Sequence, residues 1–189
     1  MPESLTHKTL KGTLWSFAER FTAQGIHFVV MIVIARLLSP KEFGLISMLS
    51  IFLAVAQSLI DSGFTQALIR KQERSEEDKN TVFYFNIVVS ILLYVVLFLI
   101  SPWVSNFYNE PQLVDIMKVI CFVVVINSFS VVQRANYTIL VDFKTQTKAT
   151  LVSAIFSGII GIYLAFQGFG VWALVYQQLT SALLNVIVL

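Results

Sequence analysis

The sequence predicts an all-α integral membrane protein, a bundle of six transmembrane helices. Three observations predict it. Of the 189 residues, 57% are hydrophobic and 13% charged, about half the ~25% charged share of a soluble domain, and the mean hydropathy is +0.78. The apolar residues fall in six runs, and a membrane-spanning helix needs about 20 residues. Lys and Arg concentrate in alternate connections between those runs. So little charge excludes a soluble enzyme and a disordered chain, and the lack of clustered basic charge excludes nucleic acid as a partner. The single cysteine, Cys121, excludes a disulfide framework and a thiolate metal cage. The runs lack the short alternation of a membrane barrel, so each reads as a helix.

The expected spans are residues 15–38, 43–60, 82–100, 113–137, 149–166 and 171–189, all within one membrane domain, 1–189. The first is too long for a signal-peptide core and has no cleavage site after it. Pro40 ends it, because a proline ring cannot continue a helix and disfavours helical backbone before it. Pro102 is expected to stop the third span, and the fourth opens just after Pro111. Gln167-Gly168-Phe169-Gly170 turns the chain between the last two. Ser75 is a helix cap, with Asp78 at the third position of a capping box. Ser153, Ser157 and Gly161, with Gly158, form a small-residue ridge that packs against another helix.

Orientation follows the positive-inside rule. The N-terminal tail (Lys8, Lys11), the second-to-third connection (Arg70, Lys71, Arg74, Lys79) and the fourth-to-fifth (Arg134, Lys144, Lys148) carry nine cations, against two (Arg36, Lys41) on the other side. The N-terminus is therefore expected in the cytoplasm. Trp15, Trp103 and Trp172 fall at span ends, as an aromatic belt requires. Arg20 is left as a charge inside the bilayer. The chain ends at Leu189 within an apolar run, which suggests part of a longer transporter.

Several spans carry a polar stripe at helical spacing. Span one has Ser16, Arg20, Gln24 and His27; span two has Ser47, Ser50, Gln57 and Asp61. Span four has Asn127, Ser130, Arg134 and Tyr137; span six has Gln178, Ser181 and Asn185. A cation facing lipid near mid-helix costs about 2.5–3.5 kcal/mol, so these stripes should face a hydrated interior. Candidate cavity residues are Arg20, Gln24, His27, Gln57, Asp61 and Asn127. Each also has a plainer reading. Arg20 can snorkel or pair with Asp61, and His27 can be a packing residue rather than a proton-coupling one. Asp61 before Ser62-Gly63 is also a helix-end signal, and Asn127 an ordinary interhelical hydrogen-bond partner. No phosphate loop, paired histidines or carboxylate cluster with metal spacing occurs, so no catalytic residue, metal or cofactor is expected.

Four segments carry a family resemblance. They are Ala35-Arg36-Leu37-Leu38-Ser39-Pro40-Lys41-Glu42-Phe43-Gly44-Leu45, Asp61-Ser62-Gly63-Phe64-Thr65-Gln66-Ala67-Leu68-Ile69-Arg70, Ile100-Ser101-Pro102-Trp103 with Phe107-Tyr108-Asn109-Glu110-Pro111, and Gly168-Phe169-Gly170-Val171-Trp172-Ala173-Leu174. In order and spacing they resemble Wzx-type polysaccharide flippases, the polysaccharide transporters of the multidrug/oligosaccharidyl-lipid/polysaccharide exporter (MOP) superfamily. The resemblance implies a bundle equivalent to the N-terminal half of a two-bundle transporter, with a C-terminal bundle or a dimer partner to complete it. It implies a location in the bacterial inner membrane, among its lipids, and a role in polysaccharide or lipopolysaccharide synthesis. The implied substrate is an undecaprenyl-pyrophosphate-linked glycan, moved to the outer leaflet with proton or sodium coupling and without enzymatic chemistry. Arg20 would clamp the pyrophosphate, and Gln24, Gln57 and Asn127 would bond sugar hydroxyls. A peptidoglycan-precursor flippase, a multidrug/cation antiporter and a membrane-embedded envelope-glycan enzyme are the competing readings. The cation in span one argues against a cation exporter, and the missing catalytic cluster against an enzyme.

Overall fold

The computed structural model describes residues 21–22, 24–61, 67, 75–140 and 143–189, the side chains of Asp61 and Phe143 excepted. The described residues are helical, with no strand among them. In chain order the helices are α1 (Gln24–Leu37), α2 (Pro40–Asp61), α3 (Glu76–Tyr108), α4 (Leu113–Ile120), α5 (Phe122–Ser128), α6 (Val131–Ile139), α7 (Phe143–Phe166) and α8 (Val171–Val188). Within α2, α3, α7 and α8 lie 4 segments long and apolar enough to cross a membrane, and α4–α6 give a fifth if their bent pieces are one span. The first predicted span lies partly outside the described residues. Within them, α1 is apolar but shorter than a full crossing.

Local chemistry sets the helix ends. Helix α2 opens at Pro40, three residues before the expected start at Phe43. Pro is suited to the first helical position, where its missing N–H leaves nothing unpaired. Ser39 caps this helix through a reciprocal pair. Its N–H donates to Glu42 Oε2 at 2.6 Å, and the Glu42 N–H donates to Ser39 Oγ at 3.4 Å. The Ser75 capping box is present as expected: Asp78 N–H to Ser75 Oγ at 3.1 Å, and Ser75 N–H to Asp78 Oδ2 at 3.0 Å.

Two expectations need correction. Pro102 does not stop the third helix: α3 is 33 residues long and runs through it to Tyr108. Pro102 cannot donate to the Phe98 carbonyl one turn back. The Ser101 hydroxyl donates there instead, at 2.8 Å. At 1.5 Å per residue α3 is about 50 Å long, more than a hydrocarbon core of about 30 Å, so its ends project beyond it. It ends at Asn109, in left-handed backbone with φ 54°. The fourth span, expected as one helix over 113–137, is broken near Cys121 and again at Phe129–Ser130, where the axis bends by 41°. No Gly or Pro marks the second break. Hydroxyls serve the carbonyls around it, Ser128 Oγ to Val125 O at 2.8 Å and Ser130 Oγ to Asn127 O at 2.9 Å.

Two apolar clusters hold the helices together. Leu45 and Leu49 of α2 pack with Leu113, Ile116 and Ile120 of α4, Val124 of α5 and Val175 of α8. Val30 and Ile34 of α1 pack with Ala165 of α7 and Ala173 and Leu174 of α8. The small-residue ridge of α7 allows close approach. A Cβ at Gly158 would lie 2.6 Å from Val30 Cγ2, and one at Gly161 would lie 3.0 Å from Gln177. Large apolar side chains such as Leu99, Trp103, Phe107 and Ile187 point outward, the inverse of a soluble surface and the arrangement lipid requires.

The connections at 38–39, 109–112 and 167–170 meet at one end. Lys41 Nζ binds Glu110 Oε1 at 2.9 Å. Glu42, Gln112, Asp115, Phe169, Gly170 and Trp172 line a small hollow there, of about 340 Å³. Gly168 and Gly170 have φ of 79° and 57°, which only glycine adopts freely. Lys118 is a cation inside the fourth span that the sequence reading passed over. It lies in the second turn of α4, half-buried, its Nζ 5.2 Å from the centre of the Phe98 ring.

Candidate functional site

In a lipid-embedded bundle an unpaired polar group is costly, so its partner is the first question to ask of each. Serine and threonine answer it within their own helices. Ser47 Oγ donates to Phe43 O at 2.9 Å, Ser50 to Ser47 O at 2.7 Å and Ser153 to Ala149 O at 2.7 Å. Other contacts reach across, one of them between two serines. Ser90 of α3 meets Ser128 of α5 at 3.0 Å, and Tyr137 OH donates to Leu189 O at 3.1 Å. Arg134 Nη2 donates to Asn185 Oδ1 at 2.7 Å, tying α6 to α8.

A cleft of about 490 Å³ lies among α1, α2, α7 and α8. Helix α1 contributes Gln24, His27 and Met31, and α2 contributes Phe43, Ile46 and Ser47. Helix α7 contributes Thr150, Ala154 and Ser157, and α8 contributes Gln177, Gln178, Ser181 and Asn185. Spacings of three and four residues bring each set to one helix face. Leu174 and Asn185, both lining it, are about 16 Å apart along α8 at 1.5 Å per residue. Asn185 also accepts from Arg134, so that bond lies at one end of the cleft. His27 is the one ionisable side chain among the described residues that line it.

Of the six candidates, the structure brings Gln24 and His27 together on the cleft. Gln57 and Asn127 do not line it. They meet each other, Asn127 Nδ2 donating to Gln57 Oε1 at 3.3 Å, between α2 and the fourth span. Ser47 and Gln57, read as one stripe, thus diverge. Ten residues at 3.6 per turn leave them about 80° apart around α2. Arg20 and the Asp61 side chain lie outside the described residues. Gln177 was missed. Its only signal was a second glutamine beside Gln178 in an apolar run. It is 8% exposed and lines the cleft, and among the described residues no hydrogen bond reaches its amide.

A helical membrane bundle, multi-pass, with a polar cleft between its helices is the class of protein these features define. The chain belongs to the family described as polysaccharide biosynthesis protein, whose profile matches residues 33–189. It is 23% identical to the succinoglycan biosynthesis transport protein ExoT of Rhizobium meliloti (strain 1021), over 90% of this chain and 35% of that protein. It is 29% identical to the lipopolysaccharide biosynthesis protein WzxC of Escherichia coli (strain K12), over 65% of this chain and 25% of that protein. It is 26% identical to the teichuronic acid biosynthesis protein TuaB of Bacillus subtilis (strain 168), over 96% of this chain and 37% of that protein. The matched regions thus span between 25% and 37% of these relatives' lengths. No solved structure matches the chain significantly.

Proposed function

We propose that the chain is one bundle, the N-terminal one, of a two-bundle flippase that moves a lipid-linked glycan precursor across the bacterial inner membrane. The observation that carries this reading is the cleft: amide and hydroxyl groups from four helices converge inside an otherwise apolar bundle. A scaffold has no use for such a surface. Family membership and the transport and glycan names of the relatives support the same reading. The relatives are long enough to hold a second bundle of similar size.

In this reading the bundle has six spans, with α1 the visible part of the first and α4–α6 together the fourth. The N-terminus is cytoplasmic, a reading supported by the nine-to-two distribution of cations. The substrate is an undecaprenyl-pyrophosphate-linked oligosaccharide. Its diphosphate cannot cross hydrocarbon unaccompanied, and Arg20, on the sequence stripe that continues to Gln24 and His27, is the cation proposed to escort it. Rocking of one bundle against the other changes leaflet access, driven by proton or sodium coupling, with His27 the candidate proton carrier. The chain performs no bond chemistry. A cation antiporter would want carboxylates in its cavity, and none lines this cleft among the described residues.

The test is genetic and chemical together. Deleting the gene should remove the surface glycan and leave its lipid-linked precursor on the cytoplasmic leaflet. Complementation with Arg20→Ala should restore protein abundance and not export. An unchanged surface glycan after deletion rejects the flippase reading; normal export by Arg20→Ala rejects that residue.

A further inference from the structure

We infer that the cleft among α1, α2, α7 and α8 recognises the uncharged sugar units of the cargo, with Gln177 and Gln178 as the principal contacts, while the diphosphate stays outside it. The inference rests on the flippase reading for the source of the sugar. It divides that substrate between two places.

The chemistry of the lining makes the division. A diphosphate needs several cations; among the described residues no Lys or Arg lines the cleft, His27 is its one ionisable group, and Arg134, at its Asn185 end, is already bonded to that amide. A metal or sodium site would be far smaller: a water takes about 30 Å³, whereas the cleft measures about 490 Å³, within the ~300–1,000 Å³ of small-molecule sites. Sugar hydroxyls both donate and accept, and a primary amide is the side chain that does the same with two donors and an acceptor. Gln24, Gln177 and Gln178 supply three such amides, and Ser181 adds a hydroxyl. Met31 and Phe43 give the apolar wall that suits the C–H face of a pyranose ring.

Gln177 is the second, independent pointer. Its side chain is buried against Gly161, and its amide has no hydrogen-bond partner among the described residues. Buried polar groups are nearly always bonded, and one that is not calls for a ligand or water. Gly161 is what admits it: a Cβ there would lie 3.0 Å from Gln177 Cβ and Cγ. The backbone of α7 thus makes room for an amide that no group in the described bundle satisfies.

The test places a reporter thiol at Ala154→Cys, which lines the cleft without being a proposed contact. Cys121 is buried, and with any cysteine elsewhere in the full-length protein replaced by serine, a maleimide reads the new thiol. The full-length protein is placed in phosphatidylethanolamine/phosphatidylglycerol nanodiscs. The probes are the lipid-free neutral oligosaccharide released from the host's own surface glycan, inorganic pyrophosphate, and sodium chloride. The oligosaccharide should slow labelling at least tenfold, and the other two should not. Gln177→Leu should abolish that protection while leaving the unprotected labelling rate unchanged, which shows the cleft intact. Where Gln177→Leu fails to insert, Gln178→Leu and Ser181→Ala carry the same comparison. Protection by pyrophosphate or sodium instead of sugar overturns the inference, and so does full protection in the glutamine variants. Export in cells separates the two readings. Full export by Gln177→Leu in a strain that needs the protein rejects the sugar site and keeps the flippase; dispensability of the protein rejects the flippase, whatever the nanodiscs show.

Discussion

The contact between Gly158 and Val30 fixes how α1 lies against α7, and therefore one wall of the cleft. Gly158→Ala tests it. The new Cβ would sit 2.6 Å from Val30 Cγ2 and 3.3 Å from Cγ1, where carbon atoms prefer about 3.5–4.0 Å. Val30 cannot swing aside: both methyls crowd the site, and a β-branched side chain in a helix is held to one χ1 rotamer. One helix must move by roughly 1 Å to reach that preferred separation. Overpacking of this kind costs about 1–3 kcal/mol, and the higher helix propensity of Ala returns about 0.8–1.0 kcal/mol. The expected net loss is about 1 kcal/mol, within a range of about 0–2. Val30→Ala alone removes two methyls and should cost about 1.5–2 kcal/mol. In the double variant the methyl added at 158 enters the space vacated at 30, so the losses should not add. A coupling of about 1–2 kcal/mol in favour of the double variant is expected, within the range seen for contacting residues. The assay is reversible unfolding from mixed micelles followed by tryptophan fluorescence. Strict additivity, to within about 0.5 kcal/mol, would refute the packing argument and with it the position of α1.

Three further substitutions test the local chemistry. Ser101→Ala should cost about 1 kcal/mol by stranding the Phe98 carbonyl, and should be close to neutral in a Pro102→Ala background, where residue 102 regains its N–H; equal costs in the two backgrounds would show that the hydroxyl does not substitute for the proline. Ser39→Ala removes the cap on α2 and should cost about 1 kcal/mol, with faster amide hydrogen exchange confined to the first turn of that helix; unchanged exchange at Glu42 and Phe43 would contradict the reciprocal bond. The Lys41–Glu110 pair, with Lys41 largely exposed, should show a double-mutant coupling of only about 0.2–1 kcal/mol that fades with salt; a larger, salt-insensitive coupling would mean that the loop end is drier than its exposure implies.

Much of the architecture was legible because lipid allows few options. The long apolar runs of α2, α3, α7 and α8, the Ser75–Asp78 cap, the Gln167–Gly170 turn and the Gly158–Gly161 ridge each have a local cause and can be read from neighbouring residues. The departures are places where a distant or competing group replaced the local rule. Pro102 reads as a stop until the neighbouring hydroxyl is seen to take over its hydrogen bond. The bend at Phe129–Ser130 has no breaker residue, only serines able to bond backbone carbonyls in place of a regular helix. Lys118 escaped notice because a four-carbon stem lets a charge begin inside a span and end over an aromatic ring. Periodicity assigned Gln57 to the cavity, but its orientation is set by Asn127, 70 residues away. No pattern within one helix contains that pairing.

The same distinction locates the site. A hydroxyl is short enough to bond the carbonyl three or four residues back, so the serines of this bundle satisfy themselves and carry little information about function. A glutamine or asparagine amide carries two donors and an acceptor on a longer arm, and several here reach partners on other helices. Asn127 finds Gln57, and Asn185 finds Arg134. Gln177 is as buried as Asn185 yet finds none among the described residues. Were the bundle only a scaffold, an apolar residue at 177 would pack against Gly161 with no desolvation cost. The cost of burying that amide, about 1–3 kcal/mol when unsatisfied, would be recovered on binding the proposed sugar. On the proposed reading, the cleft's amides recognise the sugar while Arg20 meets the diphosphate, and Gln177 is the amide to test first because it is buried with a bond still to make.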